Sequence, residues 1–251
     1  MKFSFALWTR EAVCQLVEQK YGITFSLRCA TNYLKRWGMT CQRPTKRAYR
    51  QDNMKVEKFK RDTYPAIKAR ALAENGEIYW GDETGIDNHE HYQRGFAIKG
   101  NPPVIPIESK RERVNIVSAI NNYGTLRFMF YDENMTQQRF IEFMERLVAD
   151  AKGKVFLIVD NLKVHYGKIV TKWLAENKDE IELFFIPPYS PELNPDEYLN
   201  HALKLNVHRG VPPRTKSDIT QKATRFMNNL KANTEKVRAF FHHNNIAYQY
   251  V

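Results

Sequence analysis

A run of five apolar residues, Val155–Val159, lies between two stretches with helical periodicity, and it limits the possible folds more than any other feature. Short apolar runs between helices are typical of buried strands in β-α-β units. Four further segments have strand length and composition: 77–82, 114–120, 125–131 and 181–186. The helical stretches nearby span 136–151, 164–177 and about 216–242, with another helix starting near Pro195. The pattern predicts an α/β fold, a mixed sheet flanked by helices, with a loop-like segment 83–103 between its first two strands.

The first 50 residues have a different sequence pattern, which predicts a small all-α domain. Thr9 and Ser26 stand where helix N-caps are expected, and Gly22 and Gly38 stand where those two helices would end. Two short helices joined by a glycine-containing turn are typical of a helix-turn-helix, although an ordinary helical hairpin has the same pattern. The polar face of the second helix offers five candidate DNA-binding residues: Arg28, Thr31, Asn32, Lys35 and Arg36.

Positive charge is concentrated at this end of the chain. Residues 1–74 carry 16 Lys and Arg against 6 Asp and Glu, whereas the rest of the chain carries 23 against 22. A one-sided basic block favours binding to a polyanion through neutralisation of phosphates, although it could be a solvated surface. The basic arm after the second helix contributes candidate phosphate contacts: Arg43, Lys46, Arg47 and Arg50.

These patterns predict three parts: a helix-turn-helix domain with a basic arm (1–50), a helical connector broken near Pro65 (51–74) and a catalytic domain (75–251). The three cysteines lack the spacing of a zinc finger or a disulfide framework, which favours a reducing cytoplasm. No apolar run approaches the roughly 20 residues that span a bilayer, so we expect no membrane association. The phosphate-binding loop of ATP-dependent enzymes is missing, so we expect no nucleotide cofactor.

Three acidic residues stand at the ends of predicted strands or at a helix start: Asp82, Asp160 and Glu197. Such positions meet at one edge of an open α/β sheet, where ligands bind. Carboxylate oxygens suit Mg²⁺, and two ions held about 3.5–4 Å apart can promote displacement at phosphorus. The sequence therefore predicts a metal-dependent phosphodiesterase site if the fold brings the three carboxylates together.

Each acid also has a structural interpretation. Asp82 and Asp160 could each begin a turn. Glu197 falls three residues after Asn194, which is the capping-box position. Glu192 and Asp196 are rivals for the metal role, and Glu83 is interpreted as a solvated or hydrogen-bonding neighbour. His165 could orient a group of the site or lie on a helix surface.

Three motifs together resemble the bacterial insertion-sequence transposases of the mariner superfamily, insertion-sequence family 630. They are Trp-Gly-Asp-Glu-Thr-Gly at 80–85, Val-Asp-Asn at 159–161 with His165, and Pro-Pro-Tyr-Ser-Pro-Glu-Leu-Asn-Pro-Asp-Glu at 187–197. The 36 residues between Asp160 and Glu197 fit the family's spacing. Residues 7–13, 33–38 and 42–44 resemble the DNA-binding region of the family.

The resemblance implies a ribonuclease-H-like catalytic domain preceded by a winged-helix-like module. Asp82, Asp160 and Glu197 would be the catalytic and metal-binding triad for two Mg²⁺ or Mn²⁺ ions, with Asn161, His165 and Asn194 in support. It also selects Glu197 over Glu192 as the third acid.

Such enzymes cut the inverted repeats of their element and join the freed 3′-hydroxyls to target DNA, usually at TA, commonly as homodimers. Relatives usually carry another helix-turn-helix upstream, so this chain is expected to lack the first one. A position in the cytoplasm near the nucleoid follows from this function.

Two other functions remain open at this stage. A truncated, non-catalytic DNA-binding remnant would occupy the element ends and repress the intact transposase. Another nuclease of the same fold, such as a junction resolvase or an RNA-hybrid nuclease, would prefer branched or hybrid substrates.

Overall fold

A computed structural model describes residues 7–42, 44, 49–89, 96–106 and 108–250. The chain forms two compact units, Met1–Arg47 and Ala48–Val251. No helix within the described ranges is long and apolar enough to cross a membrane.

The N-terminal unit consists of two capped helices, α1 (Arg10–Tyr21) and α2 (Leu27–Arg36). The Thr9 side chain accepts a hydrogen bond from the Ala12 amide, and Gly22 ends α1 at a φ of 67°, which favours glycine. Ser26 caps α2 in the same way, through the Cys29 amide. The two predicted helices and their caps are therefore confirmed.

A distorted helix opens the larger unit. It runs as α3 (Asn53–Lys58), a π-helical turn (Phe59–Thr63) and α4 (Tyr64–Ala73). Pro65 in the first turn of α4 has no amide proton to donate, and π-helical turns relieve such interruptions of the hydrogen-bond ladder. This segment, predicted as a connector, is helical. It packs into the core of the larger unit through Val56, Phe59, Tyr64, Ile67 and Ala71.

The sheet has five strands: β1 (Glu77–Asp87), β2 (Arg113–Ile120), β3 (Leu126–Tyr131), β4 (Val155–Val159) and β5 (Ile181–Phe185). Their order is β3-β2-β1-β4-β5. The first three pair antiparallel, and β4 and β5 add in parallel on the other side of β1. This mixed, ribonuclease-H-like sheet confirms the predicted fold class.

The expectation that residues 83–103 form a loop is wrong for residues 83–87, because β1 continues to Asp87. The continuation pairs with β2 as far as Asp87 opposite Arg113. Its sequence, Glu-Thr-Gly-Ile-Asp, contains one apolar residue, so the alternation that marks a strand is hidden. Pairing with a neighbouring strand overrides such weak local preference.

Helices cover both faces of the sheet. On one face lie α5 (Gln137–Asp150) and α6 (Lys168–Glu176), the latter preceded by a 3₁₀ turn (Lys163–Tyr166). On the other face lie α4, α7 (Pro195–Val207), α8 (Lys216–Lys231), α9 (Thr234–Ala239) and terminal 3₁₀ turns, Phe240–His242 and Asn244–Tyr250. A 3₁₀ turn at Pro191–Leu193 precedes α7. The helix predicted over 216–242 is interrupted because Asn233 caps a new helix by accepting a hydrogen bond from the Lys236 amide.

Candidate active site

The β1–β4 pairing brings two of the predicted acids to the same end of β4. The parallel register aligns Trp80 with Ile158. Two residues further along the same register stand Asp82 and Asp160, and neighbouring strands lie about 4.8 Å apart. Asp160 follows the last residue of β4, whereas β1 continues, so both carboxylates lie where β4 ends.

Side-chain hydrogen bonds attach the start of α7 to β1 next to Asp82. The Asn194 Nδ2 atom donates to the Gly81 carbonyl at 2.9 Å, and the Asn194 Oδ1 atom accepts from the Asp196 amide at 3.0 Å. One turn later, the Asn200 Nδ2 atom donates to Asp82 Oδ2 at 2.8 Å. Glu197 lies between these two attachments, in the first turn of the helix.

Asp82, Asp160 and Glu197 line one cleft of about 450 Å³. The rest of its wall comes from the end of β4 and from the loop before α7: Asn161, Leu162, Ile186, Pro187, Pro188, Tyr189, Ser190, Pro191 and Asn194. The structure thus brings the three predicted acids to one opening.

The three carboxylates act on one another electrostatically. Burial raises the pKa of Asp82 well above its ordinary value, and the charges of Glu197, Asp196, Glu83 and Asp160 add to the rise. Burial also raises the pKa of Glu197; the Lys204 charge opposes this rise and the Asp160 charge adds to it. Accumulated negative charge of this kind is stabilised by a bound cation.

The other acids near Glu197 lie outside this cleft. Asp196 is fully buried and accepts a hydrogen bond from the Ser118 hydroxyl at 2.7 Å. The Glu192 carboxylate accepts from Gln51 Nε2 at 2.5 Å. Glu197 itself accepts no hydrogen bond from any described residue, so the capping-box interpretation of its carboxylate does not hold there. The cap of α7 is made by Asn194 alone.

His165 is buried, so the helix-surface interpretation is wrong. Its Nε2 atom lies 2.7 Å from Glu83 Oε1, and its Nδ1 atom lies 3.3 Å from Asp160 Oδ1. Burial lowers its pKa, but the hydrogen bonds to Asp160 and Glu83 outweigh burial and raise it to about 10. In the described part of the chain, Glu83, Asp160 and His165 form a group whose possible ligand atoms all lie within 4.8 Å of one another. The Asp82, Asp160 and Glu197 oxygens do not form such a tight group.

Glu83 is therefore a hydrogen-bonding neighbour, as one of its two sequence interpretations had it, but its partner His165 was not predicted. Alternation along β1 directs Glu83 to the face opposite Asp82, toward α5. There the ring of Phe140 lies 4.3 Å from that of His165, centroid to centroid. The sequence signal for the contact of Glu83 with His165 was the adjacent pair Asp82 and Glu83. In a strand, two neighbouring side chains point to opposite faces of the sheet.

Two sets of side-chain hydrogen bonds hold the cleft rim in place. Asn161 Nδ2 donates to the Ile186 carbonyl, which joins the end of β4 to the end of β5. Gln51 Nε2, in the segment before α3, donates to the Tyr189 carbonyl at 3.2 Å and to the Ser190 hydroxyl at 3.0 Å. Gln51 carried no signal in the sequence, since the contact joins residues 138 positions apart.

The candidate DNA-binding residues divide into three groups. Arg28, Asn32, Lys35, Arg36 and Arg50 are exposed. Thr31 is half-buried, and its hydroxyl donates to the Leu27 carbonyl at 2.8 Å. The predictions for Arg43, Lys46 and Arg47 lie outside the described residues.

Comparison with known families agrees with this geometry. A family model described as DDE superfamily endonuclease matches residues 77–220, more than half of the chain. The chain belongs to this family. A second model, winged helix-turn helix, matches residues 4–63 of the DDE endonuclease chain. No curated protein sequence matches it significantly.

Solved structures share its fold. The Mos1 mariner paired end complex with Mn has a TM-score of 0.67 at 16% identity, covering 97% of this chain and 73% of that one. The Mos1 strand transfer complex has a TM-score of 0.63 at 16% identity, covering 99% and 79%. The DDE endonuclease chain is thus structurally similar to the Mos1 mariner transposase.

Proposed function

We propose that this chain is a DNA transposase of the mariner superfamily, from a bacterial insertion sequence of family 630. It cuts the ends of its element and joins the freed 3′-hydroxyls to target DNA. The observation that carries the proposal is the convergence of Asp82, Asp160 and Glu197 on one cleft in a DDE endonuclease domain. Structures of similar fold include a paired end complex and a strand transfer complex of Mos1, which support the same type of reaction here.

The residues of the cleft fit a divalent cation. Its acids offer only oxygen atoms, which Mg²⁺ and Mn²⁺ accept. Burial raises the pKa of Asp82, and the charges of its neighbours add to the rise; a cation would relieve that added repulsion. We propose that Asp82, Asp160 and Glu197 would together hold two such ions. When bound, the ions supply an activated nucleophile and stabilise the leaving oxygen.

The surrounding residues keep the acids in position. His165 and the Leu162 amide, at 2.9 Å, both engage Asp160 Oδ1, which leaves Oδ2 for a ligand. Asn194 fixes the first turn of α7 against β1, and Asn161 fixes the end of β4 to β5. Partners of this kind are expected to raise metal affinity by orienting the ligands.

DNA recognition is assigned to the N-terminal unit. Arg28, Thr31, Asn32 and Lys35 would contact bases of the inverted repeats, and Arg36, Arg43, Lys46, Arg47 and Arg50 would contact phosphates. We propose residues 1–50 as the recognition domain, 51–74 as the connector and 75–251 as the catalytic domain. A homodimer pairing two ends, a TA target and a cytoplasmic, nucleoid-associated location complete the proposal.

The test is cleavage of DNA that carries the flanking inverted repeats, with Mg²⁺ and with chelator. The wild-type protein should nick the repeat ends only with metal. Asp160→Asn should bind the same DNA and leave it intact, because an amide is a poor metal ligand. Equal cutting by Asp160→Asn would refute the site. Binding by the wild-type protein without cleavage in any divalent metal would favour the repressor function.

A further inference from the structure

An arginine lies against the sheet, on the face of β1 that carries Glu83. Arg113 begins β2 and reaches diagonally over Gly85 of β1, which pairs with Asn115. A Cβ atom added to Gly85 would lie 2.2, 2.3 and 2.4 Å from Nη2, Nε and Cζ of Arg113. These distances place the guanidinium directly against the glycine, with Nη2 and Nε nearer than Cζ. Only a residue without a side chain leaves room for this position.

One edge of the guanidinium is anchored and the rest is available. Nε of Arg113 donates to Asn115 Oδ1 at 2.9 Å, and Asn115 Nδ2 donates to the Glu133 carbonyl. Arg113 is exposed and forms no ion pair with any described residue. Its neighbour Arg111 differs, because its Nη2 atom lies 2.5 Å from Asp87 Oδ2. Arg113 thus presents a fork of N–H donors that no described carboxylate satisfies.

The fork shares one face of β1 with Glu83. Gly85 and Glu83 are two residues apart on that face, a distance of about 6.6 Å along a strand. Glu83 belongs to the same close group of ligand atoms as Asp160, which lines the cleft. Burial raises the pKa of Tyr131, which shares this face opposite Asn115; the Glu83 charge adds to the rise, the Arg113 charge opposes it, and the Asp82 charge adds to it. Pairing of β1 with β4 stops at Trp80, so this part of β1 has no β4 residue paired beside it.

We propose that Arg113 binds a DNA phosphate that flanks the scissile one, and that Gly85 of the Trp-Gly-Asp-Glu-Thr-Gly motif is required so that the guanidinium can lie over β1. The inference rests on the proposed function, because it assumes a DNA strand in the cleft. A planar guanidinium with free N–H groups binds a phosphodiester through two parallel hydrogen bonds. Four carboxylates nearby would repel DNA, so a cation at their border also guides the strand toward the metal-binding oxygens.

The first test compares Arg113→Ala with Arg146→Ala, which removes an exposed arginine paired with Glu142 on α5. For Arg113→Ala we expect a KM for DNA about tenfold higher and a salt dependence of binding that is shallower by about 0.9 in log-log slope. Arg113→Lys should keep the slope and lose part of the affinity, because it keeps the charge without the fork. Mn²⁺ binding without DNA should not change. An unchanged KM and salt slope in Arg113→Ala would overturn the proposal.

A double-mutant cycle tests the role of the glycine. Gly85→Ala should displace the guanidinium and reproduce the KM defect, but it should add nothing in the Arg113→Ala background. Independent, multiplicative effects of the two substitutions would contradict the shared role. The cleavage assay on the wild-type protein distinguishes failure of the proposed function from failure of the role proposed for Arg113. A wild-type protein without cleavage refutes the proposed function, whereas the salt slope of DNA binding still decides the role of Arg113.

Discussion

At the scale of single residues, the candidate site places negative charges together at the expense of stability. Asp82 lies under the influence of four other carboxylates, and its pKa is raised by burial and by their charges. When the pKa of a carboxyl group is higher in the folded state than in the unfolded state, the protein loses stability as pH rises above the unfolded-state pKa. In the proposed mechanism, function and stability therefore oppose each other at Asp82, as they commonly do at catalytic positions.

Asp82→Asn should make the metal-free protein more stable at neutral pH while it abolishes cleavage. Removing the ionisable group relieves the repulsion, and the amide oxygen can still accept the hydrogen bond from Asn200. A gain of about 1 kcal/mol corresponds to a Tm rise of roughly 2–4 °C for a chain of this size. Thermal unfolding in chelator measures it, with Asp179→Asn on an exposed turn as the control. A lower Tm for Asp82→Asn would show that the repulsion is unimportant.

His165 should give the metal-free protein a pH-dependent stability. Its folded pKa is raised to about 10, above the ordinary value of 6.5. The stabilisation is therefore complete below pH 6.5 and is lost as pH rises from 6.5 to 10. Denaturant unfolding across this range should show a slope that His165→Gln reduces, by up to about 1.4 kcal/mol per pH unit. Parallel curves for the two proteins would be inconsistent with hydrogen bonds from His165 to both carboxylates.

At the scale of elements, the site depends on where β4 stops and where α7 begins. Asn194 performs two tasks at that start, since it caps α7 and attaches the helix to the Gly81 carbonyl. Asn233 performs only the first task, at the start of α9. Comparing substitutions at Asn194 and Asn233 therefore separates the effect of a lost helix cap from the effect of a displaced α7.

Asn194→Ala and Asn233→Ala should each lower the free energy of unfolding by about 1 kcal/mol through the lost cap. Asn194→Ala should also reduce kcat about 10- to 100-fold, because a small displacement of Glu197 disturbs a site that requires close alignment. Asn233→Ala should keep normal kcat. Steady-state cleavage rates and denaturant curves measure both quantities. Similar kcat values for the two variants would argue against positioning by Asn194.

The sequence predicted the elements better than their extensions and contacts. Periodicity and caps located α1, α2, α5 and β4, because these signals are local. The continuation of β1 to Asp87 was missed because it depends on pairing with β2. The Glu83–His165 hydrogen bond and the contact of Gln51 with the cleft rim join residues far apart in the chain, so only the folded sheet reveals them.

At the scale of the whole molecule, the proposed function assigns recognition and chemistry to different units. The basic, exposed face of α2 belongs to one compact unit, and the acidic cleft belongs to the other. Opposite charge in separate units allows DNA to be held by one while the other supplies carboxylates for cations. The two activities should therefore respond to different substitutions.

Arg28→Ala and Lys35→Ala should weaken binding to the inverted repeats and leave Mn²⁺ binding unchanged. If either side chain contacts a phosphate, the salt slope should fall by about 0.9. If it contacts a base, discrimination against altered repeats should fall by about 1–3 kcal/mol. Gel-shift titrations with matched and scrambled repeats distinguish these cases, with Lys178→Ala as the control. Wild-type affinity and discrimination in both variants would remove α2 from the recognition surface.

The most direct test of the central claim is Mn²⁺ binding to the metal-free protein and to four variants, measured by titration. If Asp82, Asp160 and Glu197 hold the cations together, then Asp82→Asn, Asp160→Asn and Glu197→Gln should each lose most of the affinity, while Glu83→Gln should keep most of it. Retained binding in Asp82→Asn and Glu197→Gln, together with loss in Glu83→Gln, would contradict the account and place the ion among Glu83, Asp160 and His165.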